Sequence, residues 1–267
     1  MPRFLTALVD DAALFPPGNV PLEQAVAEHG EHRAEEHADL LGGFVVSDTK
    51  IADLAQLTGG RAELAGGRAE SRPLDVNLVV TGGAGAIEPA VTWVSRADGL
   101  SLRAVEFALR DEADLAHNAR RLVSVVDSLA EELDDVVVYA EPPSLQGPPT
   151  AGWLSALDEL AARDIHLKLR DIGARALEAA LDRELPFKCV GAVDDRFVQV
   201  LAATRASLDG AGTAEVQEVL DQPDASEQAE RILDDPDQAA RTRRWFESFS
   251  AASALKVHED LVELGLL

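Results

Sequence analysis

The segment IHLKLRDIGARALEAALDRELPFKCVG, residues 165–191, has the pattern of a strand, a helix and a second strand. Its first six residues alternate apolar and polar side chains with the two-residue period of a β-strand. The polar set therefore shares one face of that strand: His166, Lys168 and Arg170. The second strand, FKCVG, is short and apolar but contains Lys188. Two strands joined by a helix predict a parallel β-α-β unit with a right-handed crossover.

The same alternation runs through the whole chain. Eight short apolar runs each precede a segment with helical spacing: residues 4–10, 42–47, 74–80, 103–109, 135–141, 165–170, 187–191 and 244–250. Eight such units predict an α/β fold, a (β/α)8 TIM barrel, which typically takes about 250 residues. We predict a single domain over residues 1–267, with a first helical segment that opens at Pro21 and runs through the charged residues to Leu41. The acidic stretch at about 211–243 is interpreted as an elaborated connection before the last strand, and 59–72 as a loop or weak helix.

Composition limits the partners of this chain. It has 48 acidic residues against 24 basic ones, a net charge of −24. Nucleic acid and anionic membranes are therefore not expected as partners, because both need clustered positive charge. The single cysteine, Cys189, cannot form an intramolecular disulfide, and no apolar run reaches the length of about 18 residues that a membrane span requires. The sequence predicts a soluble cytoplasmic protein that binds a small molecule, and it leaves a homo-oligomer open.

The polar faces of the predicted strands are expected to point into the barrel. The apolar faces must meet the surrounding helices, so the alternating polar side chains face the lumen. Seven polar residues on six strands share this inward direction: Asp10, Asn77, Glu106, Glu141, His166, Lys168 and Lys188. Each buried charge costs several kcal/mol unless it has a partner. The set is therefore either an internal ion-pair network or a catalytic site, and such sites lie at the C-terminal ends of barrel strands.

The use of lysine at two of these positions favours a particular chemistry. The chain has four lysines and twenty arginines, yet two of the lysines lie in short hydrophobic strands. For an ion pair arginine would serve as well, whereas an unprotonated lysine amine can form a Schiff base with a carbonyl compound. A neighbouring cation lowers a lysine pKa, so Lys188 is expected to lower that of Lys168, or the reverse.

At these residues the sequence resembles the class I aldolases of the deoxyribose-phosphate aldolase type. The similar segments are FKCVGAV on strand 7, AVEFAL on strand 4 and VVVYAE on strand 5, whereas LRDIG follows Lys168 where the family has T-S-T-G. The resemblance implies that Lys168 is the nucleophile, Lys188 its pKa-lowering neighbour and Glu106 part of a proton relay. It also implies that Gly191, Ser248 and Ser250 mark a phosphate-binding end. The segments ALFPPGN and PFK resemble uncharacterised proteins of high-GC bacteria.

We therefore predict an aldolase-like lyase that forms a lysine Schiff base with a small carbonyl substrate, phosphorylated or not, without a cofactor or metal ion. The predicted catalytic residues are Lys168, Lys188, Glu106 and Glu141. The predicted substrate contacts are Asp10, Asn77, His166, Arg170 and Gly191.

Two alternatives stay open. The first is a metal-dependent lyase, isomerase or hydrolase in which the carboxylates and His166 bind a divalent ion. The second is a barrel that retains these charges only as a buried network.

Overall fold

Eight parallel strands close into a barrel in chain order in a computed structural model of the protein, which describes residues 1–64, 72–110, 113–191 and 196–267. The first and last strands pair with each other, so the barrel is complete. The strands are β1 (Val9–Asp11), β2 (Leu41–Ser47), β3 (Leu74–Val80), β4 (Leu100–Ala108), β5 (Val137–Glu141), β6 (His166–Arg170), β7 (Phe187–Val190) and β8 (Phe246–Ala251). The predicted (β/α)8 barrel is confirmed.

Each strand is followed by a helix that covers the outside of the barrel. These helices are α1 (Leu22–His32), α2 (Ile51–Leu64), α3 (Ile87–Arg96), α4 (Leu115–Ser128), α5 (Ala151–Ala161), α6 (Ala174–Leu181) and α7 (Phe197–Leu208). The acidic stretch before β8 holds α8 (Thr213–Leu220), α9 (Ser226–Asp234) and α10 (Pro236–Thr242), and β8 is followed by α11 (Ala254–Glu263). Of the predicted loop or weak helix at 59–72, the first part belongs to α2, and 65–71 lies outside the described residues. Within the described ranges, none of the helices combines the length and the apolar composition that a membrane-spanning segment requires.

The first β/α unit differs from its prediction at both elements. Residues 4–10 were expected to be extended, but Arg3–Leu5 is a short 3-10 helix and the strand begins only at Val9. Ala7 has a φ of 50°, which interrupts an extended run. Helix α1 ends at His32 rather than continuing through the charged segment that follows. The last buried side chain of the helix is His29, whose Nδ1 lies 2.8 Å from Asp11 Oδ2 of β1, and residues 34–36 beyond the helix are exposed.

The apolar face of each strand packs outward, as the alternation predicts. On β6, Leu167 and Leu169 are buried, and on β7, Phe187 stacks against Phe246 of β8 with ring centroids 5.8 Å apart. Cys189 alternates with Lys188 and is also fully buried. Burial raises the pKa of this thiol well above its ordinary value, so Cys189 is inert packing rather than a nucleophile.

The strand register places the two lysines side by side and contains three irregularities, one of them between Val9 and Asp11 where β1 pairs with β2. Lys168 of β6 lies opposite Lys188 of β7, and Lys188 lies opposite Ser248 of β8. Between β7 and β8 the register shifts at Glu247, and between β3 and β4 it shifts at Arg103. Such bulges break the alternation of faces, so residues next to them can both point inward.

Candidate active site

A lysine–carboxylate cluster occupies the lumen at the level of β6 and β7. Lys188 Nζ donates to Glu106 Oε1 at 2.7 Å and to Asp10 Oδ2 at 2.6 Å. Lys168 Nζ lies 2.8 Å from the other oxygen of Glu106, Oε2. The two ammonium groups therefore share one buried carboxylate, and β1, β4, β6 and β7 all contribute to the cluster.

Glycines on β2 make room for the Asp10 side of this cluster. Asp10 Oδ1 accepts a hydrogen bond from the backbone N–H of Gly43 at 2.9 Å, and Asp10 Oδ2 accepts one from Ser248 Oγ at 2.7 Å. A Cβ atom at Gly42 would lie 2.3 Å from Asp10 Oδ1, and one at Gly43 would lie 2.2 Å from Asn77 Oδ1. Both distances are far below a normal contact, so glycine is required where β2 passes these polar groups.

On the C-terminal side, the cluster continues to the barrel mouth through Glu141. Its Oε2 lies 3.1 Å from Lys168 Nζ, and its Oε1 accepts a hydrogen bond from Arg170 Nε at 2.8 Å. Glu141 is the last residue of β5 and Arg170 the last of β6, so both lie at the end of the barrel where catalytic groups are found in this fold. Three cations and three carboxylates thus alternate from the centre of the lumen to its rim.

Burial and charge act in opposite directions on the central groups. Burial alone would raise the pKa of Glu106, but the charges of Lys168 and Lys188 outweigh it and lower that pKa to about 2. Burial alone would lower the pKa of Lys188, but Asp10 and Glu106 hold it well above its ordinary value. Lys188 is therefore a permanent cation and Glu106 a permanent anion at neutral pH.

Only one of the two lysines reaches a cavity. A pocket of about 330 Å³ at the C-terminal mouth is lined by Lys168, Arg170, Gly191 and Ser250, and by a wall formed from Phe15, Pro16 and Pro17. Lys168 retains 6% of its surface, whereas Lys188 is 0% exposed. Ser250 Oγ is buried and has no hydrogen-bond partner among the described residues.

Arg170 also borders a second, larger cavity of about 440 Å³. That cavity lies between the segment after β5, with Pro142 and Trp153, and helices α6 and α8. Gln217 of α8 accepts a hydrogen bond from the backbone N–H of Ala174 at 3.0 Å, so the acidic elaboration forms one wall of this cavity.

A separate polar group closes the N-terminal end of the lumen. Glu247 Oε2 accepts a hydrogen bond from Tyr139 Oη at 3.0 Å and lies 2.8 Å from His166 Nδ1. Arg243 supports the same end by donating to the backbone carbonyls of Phe4 and Phe246. A cavity of about 260 Å³ opens here, and its lining includes Asp10, Asn77, Arg103, Tyr139, Arg243 and Glu247.

The structure therefore divides the predicted site residues between two ends. Of the predicted catalytic residues, Lys168, Lys188, Glu106 and Glu141 form one connected cluster. The predicted substrate contacts separate: Arg170 and Gly191 line the mouth cavity, whereas Asp10 and Asn77 border the N-terminal cavity. His166 is the first residue of β6 and is bonded to Glu247 at that far end. Sequence reasoning did not find Glu247, because the register shift at this position hides its inward direction.

The donors of the cluster are arranged for ion pairing. Among the residues that the structure describes, no group of three or more His, Cys, Asp and Glu side chains is placed to hold a metal ion. Asp10 and Glu106 each contact an ammonium group instead. The fold and site together define a TIM barrel with a buried lysine–carboxylate cluster that opens at its C-terminal mouth.

Comparison with known proteins assigns no family to this chain. No protein-family model and no curated protein matches its sequence.

Proposed function

We propose that this protein is a Schiff-base lyase of the aldolase type, with Lys168 as the amine that forms the iminium. The observation that carries the proposal is the difference between the two lysines. Lys168 lines the mouth cavity, whereas Lys188 is enclosed and held by two carboxylates. A nucleophile must reach the carbonyl carbon of its substrate, so Lys168 is the candidate and Lys188 a fixed neighbouring charge. The resemblance to class I aldolases implies the same assignment.

The reaction begins with loss of a proton from Lys168. Its Nζ then attacks the carbonyl carbon of the substrate. The carbonyl oxygen takes up one proton from the amine and the proton that Lys168 first released, and it leaves as water, so that a protonated imine forms. Cleavage of the bond between the α and β carbons of this iminium sends its electron pair toward the iminium nitrogen and gives an enamine. The leaving fragment departs as an aldehyde when the hydroxyl on its carbon loses a proton.

Proton transfer in this scheme is assigned to Glu141. Glu106, with a pKa of about 2, is too weak a base to accept a proton from an ammonium group or a hydroxyl at neutral pH. Glu141 lies 3.1 Å from Lys168 Nζ at the rim, where protons can exchange with solvent. Glu106 then has an electrostatic role, because its carboxylate holds both amino groups at one place in the lumen.

A second candidate function is supported by the complete pairing of the cluster. Each of the two ammonium groups contacts two carboxylates. The same contacts would be made by a barrel that binds a metabolite without transforming it, using the charges only as an internal network.

Reductive trapping tests the proposal. The protein is incubated with small carbonyl compounds and sodium borohydride, and its intact mass is measured. We expect a covalent adduct of one carbonyl compound per chain with the unsubstituted protein, and none with Lys168→Met. Lys256→Met is the matched control, since Lys256 lies on the surface helix α11 and its replacement should leave the adduct unchanged. An adduct that persists in Lys168→Met, or none with any carbonyl compound, would contradict the proposal.

A further inference from the structure

Arg170 is the cation that separates the two cavities at the barrel mouth. It follows Lys168 by two residues on β6, so both side chains point to the same face of the strand. Its Nε is committed to Glu141, at 2.8 Å, which fixes the plane of the guanidinium group. No hydrogen bond to either terminal nitrogen of Arg170 is found within the described ranges, and 45% of the side chain is exposed. Two donors of a positioned guanidinium are therefore available to a ligand.

The lining of the mouth cavity contrasts with the composition of the chain. The whole sequence has twice as many acids as bases, 48 against 24. Among the described residues that line the mouth cavity, however, the charged ones are Lys168 and Arg170, and no carboxylate is present. Among the described residues that line the larger cavity, Arg170 and Arg175 accompany a single carboxylate, that of Asp171.

The net charge of the cluster around Lys168 and Arg170 determines how the mouth cavity could recognise an anion. The groups that face Arg170 and Lys168 from neighbouring strands are Glu141, Glu106, Lys188 and Asp10. This cluster contains three cations and three carboxylates, so it has no excess charge with which to attract an anion. Recognition must come from directed hydrogen bonds, and the terminal nitrogens of Arg170 are the donors in position for them.

We propose that the substrate is a carbonyl compound that also carries a carboxylate, and that Arg170 selects it by binding that carboxylate. This inference rests on the proposed imine at Lys168. Two terminal guanidinium nitrogens match the two oxygens of a planar carboxylate. A phosphate has more oxygens to satisfy, whereas the opposite wall of the cavity, Phe15, Pro16 and Pro17, offers apolar surface. The carbonyl carbon would then lie at Lys168 and the carboxylate at Arg170.

The test compares three small carbonyl compounds in the borohydride trapping assay. They are 2-oxobutanoate, its uncharged analogue 2-butanone, and dihydroxyacetone phosphate. The measured quantity is the concentration at which half of the protein is trapped, and the preference is the ratio of these concentrations for 2-butanone and 2-oxobutanoate. In the unsubstituted protein we expect 2-oxobutanoate to be trapped at the lowest concentration.

Arg170→Gln should reduce this preference by about tenfold or more, as expected for loss of a charge-assisted hydrogen-bond pair. Within each protein the ratio cancels any change in the amine caused by freeing Glu141, and comparison of the ratio between proteins cancels the intrinsic reactivity of each compound. Arg175→Gln is the matched control, because it removes the same charge from the next helix without touching the mouth cavity. Its preference should stay at the unsubstituted value.

Three outcomes would overturn the inference. An unchanged preference in Arg170→Gln, or an equal fall in Arg175→Gln, would show that Arg170 does not select the substrate by binding its carboxylate. If dihydroxyacetone phosphate is trapped at a lower concentration than 2-oxobutanoate, the anionic group that the site binds is a phosphate and not a carboxylate. In these cases the imine at Lys168 still stands, whereas failure of all three compounds to give an adduct would overturn the proposed function as well.

Discussion

The two ends of the barrel lumen both contain buried charged residues, but they are built differently. At the C-terminal mouth, Lys168 and Arg170 reach a cavity and share Glu141. At the N-terminal end, Glu247 holds Tyr139 and His166, while Lys188 lies above the Tyr139 ring at 5.3 Å from its centroid. Lys188 thus lies between two networks. The network at the mouth is open to a ligand, and the network at the N-terminal end closes the barrel.

This contrast shows that position along a strand matters as much as the face on which a residue lies. Glu141 and Arg170 are the last residues of their strands, whereas His166 is the first residue of β6. Although His166 and Lys168 share a face and are only two residues apart, they take part in different networks. Replacing residues at each end should therefore separate stability from chemistry.

Lys188→Met should have the largest effect on stability. It removes the ammonium that Asp10 and Glu106 share, and leaves buried carboxylates short of a partner. Breaking a buried pair in this way costs about 3–5 kcal/mol in the free energy of unfolding. Lys168→Met should cost only about 1 kcal/mol, because Glu106 keeps Lys188 and Glu141 keeps Arg170.

Urea denaturation of both variants measures this difference. Lys256→Met is again the control, and its unfolding midpoint should remain at the unsubstituted value. Equal losses for Lys168→Met and Lys188→Met would show that the two lysines occupy equivalent environments and would contradict the division between an enclosed and an accessible amine.

Acidification should lower the free energy of unfolding by nearly as much as Lys188→Met does. The pKa of Glu106 is lowered from 4.5 to about 2 in the folded protein, so its ionised form stabilises the fold. The stabilisation is complete above about pH 4.5 and is lost as the pH falls toward 2, and the shift corresponds to about 3 kcal/mol. The free energy of unfolding measured across this range should decline less steeply in Glu106→Gln. The surface variant Glu227→Gln is the control and should show the same dependence of unfolding free energy on pH as the unsubstituted protein. The same dependence in Glu106→Gln would contradict the prediction.

Tyr139→Phe should have a smaller effect than Lys188→Met or acidification, and it should affect stability alone. It removes one hydrogen bond to Glu247 at the N-terminal end, with an expected cost of about 1–2 kcal/mol. The yield of the borohydride adduct should stay unchanged, since Tyr139 does not line the mouth cavity. A fall in adduct yield that exceeds the loss of folded protein would show that the N-terminal network influences the reactivity of Lys168.

The sequence was sufficient to predict the barrel and the residues of its central cluster. Alternation along β6 identified Lys168, and the apolar run around Lys188 identified the neighbouring strand, because the period of a regular strand is fixed. The prediction of inward-facing residues and strand bounds failed at positions where the strands depart from regular geometry. The register shift at Glu247 turns this residue inward beside Ser248, and the positive φ of Ala7 shortens β1. Pairing partners also depend on register between strands, which an alternating pattern does not specify.

The division between the two lysines is tested most directly by locating the borohydride adduct in the unsubstituted protein. After reduction with 2-oxobutanoate, the protein is digested with a protease that cleaves after acidic residues, and the peptides are analysed by tandem mass spectrometry. We expect the added mass on Lys168 and none on Lys188. A label on Lys188, with Lys168 unmodified, would contradict the assignment of Lys168 as the reactive amine.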